Sequence, residues 1–197
     1  MTYAFLALNR LRILRRGSAV YDQKFHKGVN IIRGENGSGK STISDCIFFI
    51  LGGEFDAWKV AASSCDEIQA EITTGSGILT ITREIKGNKQ TPPHVFFGNM
   101  EEAEKSALDK WESYPIRRHG GRESFSQIMF RSIGIPEAQS DGASNVTMHQ
   151  ILRLLYSDQR TPAPRLFRYE SFDTRDIREA VGDLICGLSV YSAGAGG

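Results

Sequence analysis

The sequence predicts an α/β fold. A strand, a phosphate-binding loop and a helix form its core, and an antiparallel β-sheet is added beside them. Three observations carry this. A glycine-rich run, IIRGENGSGKSTISD, lies between a short apolar stretch and an amphipathic one. The segment EIQAEITTGSGILTITREI comes next, with apolar residues at alternate positions on both sides of a turn. Later, two stretches carry apolar residues at helical spacing.

The first element is a strand within MTYAFLALNRLRILRR, whose charges come after its apolar residues, the reverse of a secretory leader. YDQKFHKG, Tyr21 to Gly28, ends a second strand and turns into a third, VNII (Val29 to Ile32), an apolar run suited to a buried strand. Gly34, Gly39, Lys40 and Ser41 then match the spacing G-x-x-x-x-G-K-[ST]. Each position has a chemical reason. Glycines let the backbone curl so that successive N–H groups face phosphate oxygens, and Lys40 supplies a point charge for the β- and γ-phosphates. The Ser41 hydroxyl is a ligand for Mg²⁺. Gly34, Glu35, Asn36, Gly37, Ser38, Gly39, Lys40, Ser41 and Thr42 form the candidate nucleoside triphosphate site, which the resemblance given below makes an ATP site. Ile43, Cys46, Ile47, Ile50 and Leu51 then share one helix face, and Gly52 and Gly53 stop the helix. Its N-terminal dipole favours an anion. A plain glycine-rich turn would need neither the fixed positions nor this strand–loop–helix setting.

Glu67 to Ile85 reads as a β-hairpin. Ile68, Ala70 and Ile72 precede a TGSG turn, and Leu79, Ile81 and Ile85 come after it. HVFFG, His94 to Gly98, is one more strand after Pro92 and Pro93. From Met100 to about Gly142 the chain is charged and irregular, with one helix around Ser124 to Ile133. RRHGGR, Arg117 to Arg122, is its densest basic cluster, and both a solvated loop and a loop on DNA phosphates fit it. Thr147 and Gln150 have capping-box spacing, and Met148, Ile151, Leu152 and Leu155 form a stripe that ends before Pro162 and Pro164. Asp173 is the N-cap expected for a last helix, with Ile177, Val181, Leu184, Ile185 and Leu188 on one face. The closing SAGAGG has no periodicity and reads as a flexible linker of the kind found at engineered junctions.

Composition sets bounds. A chain of 197 residues can bury one substantial core. Its net charge of +1 makes no bulk case for or against nucleic acid. Cys46, Cys65 and Cys186 form no C-x-x-C pair, which argues against a zinc site or disulfide framework and fits a reducing cytoplasm. Cys46 and Cys186 lie on apolar helix faces and read as small core residues. No run of eighteen apolar residues exists, so no membrane span is expected.

With these pieces placed, the sequence resembles the N-terminal half of an ABC-type ATPase head of the SMC/Rad50/RecN group. FHKGVNIIRGENGSGKST places the P-loop early, as in that group, and NGSGKST matches closely at Asn36 to Thr42. An antiparallel sheet comes next. LLYSDQRTP then resembles the Q-loop, which makes Gln159 the residue that meets Mg²⁺ and the attacking water. REAVGDLICGLSVY resembles the helix leading into a coiled coil. Lys40 and Gln159 lie about 120 residues apart, an interval several-fold longer than transporter ATPases show.

The resemblance implies a P-loop NTPase fold, an ABC ATPase head N-terminal lobe with an added antiparallel β-sheet. Residues 1–191 would form this half-head: P-loop strand and helix at 29–53, sheet at about 67–98, Q-loop region at 147–164, helix toward a coiled coil at 173–189. Residues 192–197 would be linker. Lys40 and Gln159 become the catalytic residues, and Ser41 and Gln159 the metal ligands. No apolar run ends in Asp-Glu, and ILGGEF at Ile50 lacks the serine of an LSGG signature. In this group those motifs lie beyond the coiled coil, so the expected partners are a C-terminal half and a second head. DNA and a nuclease or accessory subunit join them as expectations, in repair, chromosome maintenance or defence against foreign DNA. Arg15 or Arg16 could approach the nucleotide or simply face solvent. Two other readings stand beside this one: a small-substrate P-loop kinase, and an ATP-binding interaction module that never hydrolyses.

Overall fold

The computed structural model describes residues 4–55, 58, 60–86, 91–118, 121–136, 146–157 and 175–186. Among the described residues six strands make one antiparallel sheet: β1 (Leu6–Arg15), β2 (Ser18–Lys24), β3 (Glu67–Thr74), β4 (Gly77–Glu84), β5 (His94–Phe96) and β6 (Glu112–Ser113). They lie in the order β2-β1-β3-β4-β5-β6. The turn between β1 and β2 is Arg16-Gly17, with φ of 52° and 72°, the doubly left-handed geometry whose twist suits a two-residue hairpin. β3 and β4 pair in unbroken register from Glu67 opposite Glu84 to Thr74 opposite Gly77.

Alternation decides the two faces of this sheet. Ile68, Ala70 and Ile72 of β3 are fully buried, as are Leu11 of β1 and Ile81 of β4. Against that face lie α1 (Lys40–Ile50), which packs on β3 and β4, and the core residues of α4 (Phe125–Ile133). The helix α5 (Met148–Leu155) packs on α4. Glu71 alternates to the opposite face and accepts from the Met100 N–H at 2.9 Å. That bond holds α3 (Met100–Lys105) on the second face of the sheet.

Local chemistry explains the helix boundaries. Thr147 and Gln150 close the expected capping box at the start of α5, and Ser124 with Gln127 does the same for α4. α4 ends at Gly134 in the left-handed conformation. The remaining helices among the described residues are a short α2 (Val60–Ser63) and α6 (Arg175–Cys186).

Several expectations need correction. Val29 to Ile32 forms no strand; Val29 is 81% and Ile31 71% exposed. An extended run becomes a strand only where a neighbouring backbone accepts its hydrogen bonds, and none of the six strands lies beside it. The irregular stretch after Met100 contains α3, a 3₁₀ turn at Leu108–Lys110 and β6. Leu155 and Ile185, placed on apolar stripes, are 78% and 60% exposed, and Cys186 is exposed. Each lies at a helix end, where the stripe has run past the surface it packs on. Gln159, Asp173, Leu188 and the SAGAGG segment lie outside the described residues.

Candidate phosphate-binding site

The loop from Gly34 to Gly39 leads into α1 with its N-terminal end open. Gly39 occupies the N-cap at φ 91°, and no side chain caps the helix there. The first turn holds no acidic residue. The leading N–H groups of α1 are therefore free of the carboxylate or hydroxyl that usually satisfies them, and the helix dipole adds partial positive charge. The Glu35 carbonyl accepts from the Ser38 N–H at 3.2 Å, which closes the turn of the loop. A Cβ at Gly34 would meet Ser38 Oγ at 2.5 Å and Ser38 Cβ at 3.3 Å, so a larger residue there would force the Ser38 side chain to shift.

Lys40 folds back over the loop. Its Nζ donates to the carbonyls of Gly34 at 2.8 Å and Glu35 at 2.7 Å. The ammonium thus sits over the concave backbone where an anion would lie. Glu35, Asn36, Gly37, Ser38 and Ser41 are exposed, while Thr42 is half-buried against the body of the protein. These residues fit a triphosphate: backbone donors, one mobile cation, and an exposed hydroxyl at the helix start. They also fit a cation that keeps water and phosphate ligands, as Mg²⁺ does. Among the described residues no cluster of three His, Cys, Asp or Glu could hold a metal by itself.

The rest of α1 is fastened from three sides. Tyr156 donates its hydroxyl to Asp45 Oδ1 at 2.5 Å, and its ring lies 4.9 Å from that of Phe48. His149 Nδ1 accepts from the Glu54 N–H at 3.0 Å, just past the helix end. Arg83 of β4, 1% exposed, donates from Nη1 to the carbonyls of Phe49 at 2.8 Å and Gly53 at 3.1 Å. Its guanidinium carbon stands 3.7 Å over the Phe49 ring. Burial lowers the pKa of Arg83 to about 10, partly countered by Glu54, so it remains charged at neutral pH. Burial likewise pushes the Cys46 thiol up to about 12, which makes it an inert core residue.

The sequence pattern missed these fastenings. Arg83 had one legible signal: it lies in phase with the core-facing Leu79 and Ile81, where a charge is out of place. Of the basic cluster, Arg117, Arg118 and Arg122 are all exposed. Arg118 and Arg122 line an open cleft of about 370 Å³ with Gly121, Glu123 and Gln127. Arg15 and Arg16 are exposed at the β1–β2 turn, where the Arg16 N–H donates to Asp66. Gln159 lies outside the described residues.

Among known proteins, the AAA domain family matches residues 20–133, which hold the loop, α1 and most of the sheet. The chromosome partition protein Smc of Thermoplasma acidophilum is 42% identical over 53 residues, 27% of this chain and 4% of that protein. Structural maintenance of chromosomes protein 2 of Plasmodium falciparum is 28% identical over 114 residues, 55% of this chain and 9% of that protein. The chain thus spans less than a tenth of either relative's length. A solved structure from work on ATP-driven dimerization and DNA-stimulated activation of SMC ATPases covers 77% of this chain and 92% of its own, with 18% identity and a TM-score of 0.39.

Proposed function

From the premise that this chain belongs to the AAA domain family, with the P-loop NTPase fold and SMC-like relatives, we propose that it is the ATP-binding part of an SMC-like head. One observation carries the reading. The phosphate loop opens onto an uncapped helix, and the apolar run feeding it, Val29 to Ile32, has no neighbouring strand among the described residues and exposes Val29 and Ile31. Such a run beside a phosphate site is the edge on which a complementary polypeptide would complete the domain. That segment would also supply the carboxylates that the motifs here lack.

Bound ATP with Mg²⁺ supplies the phosphoanhydride bond and the Lewis acid. Lys40 would leave the Gly34 and Glu35 carbonyls to meet the β- and γ-phosphates, and the N–H groups of Asn36 to Gly39 would cradle phosphate oxygens. Ser41 would hold the cation from the first turn of α1. Gln159 would meet the same cation and orient water. In this reading two heads close on ATP and open on hydrolysis. DNA lies across the closed pair, with repair, chromosome maintenance or defence as the setting. Among the described residues no helix is long and apolar enough to cross a membrane. The scattered free cysteines support a reducing cytoplasm as its place.

The test is turnover. The purified chain should bind ATP and hydrolyse almost none. Adding a polypeptide that carries a Walker B carboxylate pair and an LSGG signature should restore hydrolysis. Robust turnover by the chain alone, abolished by Lys40→Ala, would overturn the half-head and favour a self-contained enzyme such as a kinase.

A further inference from the structure

A second concavity gathers positive charge away from the phosphate loop. Arg118, Gly121, Arg122, Glu123 and Gln127 line a cleft of about 370 Å³, within the size range of small-ligand pockets. The fold fastens both stretches that form it. Tyr114, just before the first, is 7% exposed, and Ser124 and Phe125, just after Arg122, are 5% and 1% exposed. The Phe125 N–H donates to the Pro115 carbonyl at 2.9 Å, which ties the start of α4 to the stretch carrying Arg118. The two arginines meet at one cleft because their backbones hang on one core.

The charge there is positive. Glu123 is the carboxylate of the lining, and Arg131 of α4 donates to its Oε1 at 2.6 Å, so three guanidiniums stand against one carboxylate. Arg118 and Arg122 are exposed, and the Arg122 side chain enters no ion pair among the described residues. A guanidinium presents five N–H donors, so one that is engaged elsewhere still has donors for a ligand. Gln127 Oε1 accepts from the Ser124 N–H at 3.0 Å and from its Oγ at 3.1 Å, which makes the amide NH₂ the end of that group turned away from the helix start.

Two guanidinium forks on one cleft suit an anion with more than two oxygens and more than one charge. A carboxylate fills one fork and brings one charge. A phosphate monoester brings three terminal oxygens and a charge of about −1.5 to −2 near pH 7. A duplex carries its phosphates on the outside of a stiff rod that does not enter such a cleft, whereas a terminal phosphate projects and enters alone. Beyond the arginines, Glu123 and Gln127 offer an acceptor and a donor, which suit the hydroxyls of a sugar.

We propose that this cleft is a second phosphate site, taking the 5′ phosphate monoester of a nucleotide unit on Arg118 and Arg122. It is assigned to described residues alone and does not rest on the phosphate loop.

The experiment is fluorescence anisotropy with a short single-stranded oligonucleotide, labelled at its 3′ end and carrying either a 5′ phosphate or a 5′ hydroxyl. The proteins are the full-chain wild type, Arg118→Gln, Arg122→Gln, Arg117→Gln and Lys40→Ala. Wild type should bind the phosphorylated end roughly tenfold more tightly. Arg118→Gln and Arg122→Gln should each remove that preference, with melting temperatures near wild type because both positions are exposed. Arg117→Gln, exposed but outside the cleft lining, should keep it, and so should Lys40→Ala. Competition names the source. Displacement by adenosine 5′-monophosphate supports the site with a free nucleotide as ligand, and displacement by the phosphorylated strand alone supports it with a nucleic-acid end. Equal affinity for the two ends would overturn the proposal, as would a preference that survives Arg122→Gln. A preference that Arg117→Gln removes as fully would replace the site with a general field of surface charge. Its loss in Lys40→Ala would put the phosphate in the loop before α1 instead.

Discussion

Replacing Arg83 with methionine tests how the sheet is fastened to the helix that carries the phosphate loop. Methionine keeps the length and apolar stem but removes three donated bonds. Nη1 serves Phe49 and Gly53, and Nε donates to the Thr91 carbonyl at 3.1 Å. Buried carbonyls that lose a charged donor cost about 1–3 kcal/mol each. Two effects act against that sum. The Gly52 N–H still reaches the Phe49 carbonyl at 3.1 Å, and the variant no longer buries a guanidinium whose Nη2 has no partner among the described residues. Removing a poorly satisfied buried charge can return several kcal/mol. The balance is a loss of about 2–4 kcal/mol. Arg83→Lys should lose at least as much, because one ammonium cannot span the fork of carbonyls and is more costly to desolvate. The assay is urea unfolding by linear extrapolation, with two probes to establish a two-state transition. The pKa of Arg83, depressed to about 10 by burial, also fixes the pH behaviour. A base whose folded pKa is lowered carries its desolvation penalty at every pH below that value and sheds it only as pH rises through it. The difference between wild type and Arg83→Met should therefore be flat from about pH 6 to 9. Arg83→Met as stable as wild type would refute the reasoning and make the guanidinium a burden on the fold.

Other perturbations draw on the same geometry. Gly34→Ala should weaken ATP binding roughly tenfold or more, since its Cβ would meet Ser38 Oγ at 2.5 Å, and adding Ser38→Ala should recover part of the loss in the same titration. The Asp22 pKa is lowered, chiefly by its hydrogen bond from Arg10 and against a smaller opposing effect of burial. Its contribution to stability is present above the unfolded carboxylate value and is lost as pH falls through the folded one. The stability gap between wild type and Asp22→Asn should accordingly close on acidification below about pH 4, as unfolding at stepped pH will show. Neutralising Arg117, Arg118 and Arg122 together should flatten the salt dependence of DNA binding by the assembled ATP-bound head by about two to three units. Unchanged slopes would make this an ordinary solvated cleft.

Local periodicity made the sheet and the phosphate helix legible. Ile68, Ala70 and Ile72 alternate in the sequence and are fully buried in the fold, and Thr147 and Gln150 form the box their spacing announces. Where burial is shared by few residues, the pattern was too thin. α3 buries only Met100 and Ala103, and its signal was the Asn99–Glu102 capping box rather than a stripe. Val29 to Ile32 misled for a different reason: apolar content shows that a segment needs a partner without showing that the partner is present. The Tyr156–Asp45 bond and the Arg83 bonds to the Phe49 and Gly53 carbonyls are tertiary, linking residues far apart in the chain, and no local window contains them. The loop itself was legible because its chemistry is backbone chemistry, set by which positions must be glycine.

The central claim is that the loop before α1 binds the phosphates of ATP through Lys40. Isothermal titration of ATP with Mg²⁺ into wild type and Lys40→Ala tests it directly. Loss of a charge-assisted contact costs about 1.5–3 kcal/mol. Lys40 already bonds the Gly34 and Glu35 carbonyls, and binding exchanges those bonds for phosphate, so the lower part of that range applies. The account predicts saturable one-to-one binding to the wild type and an affinity roughly tenfold to thirtyfold lower in the variant. The same affinity in both proteins would contradict it.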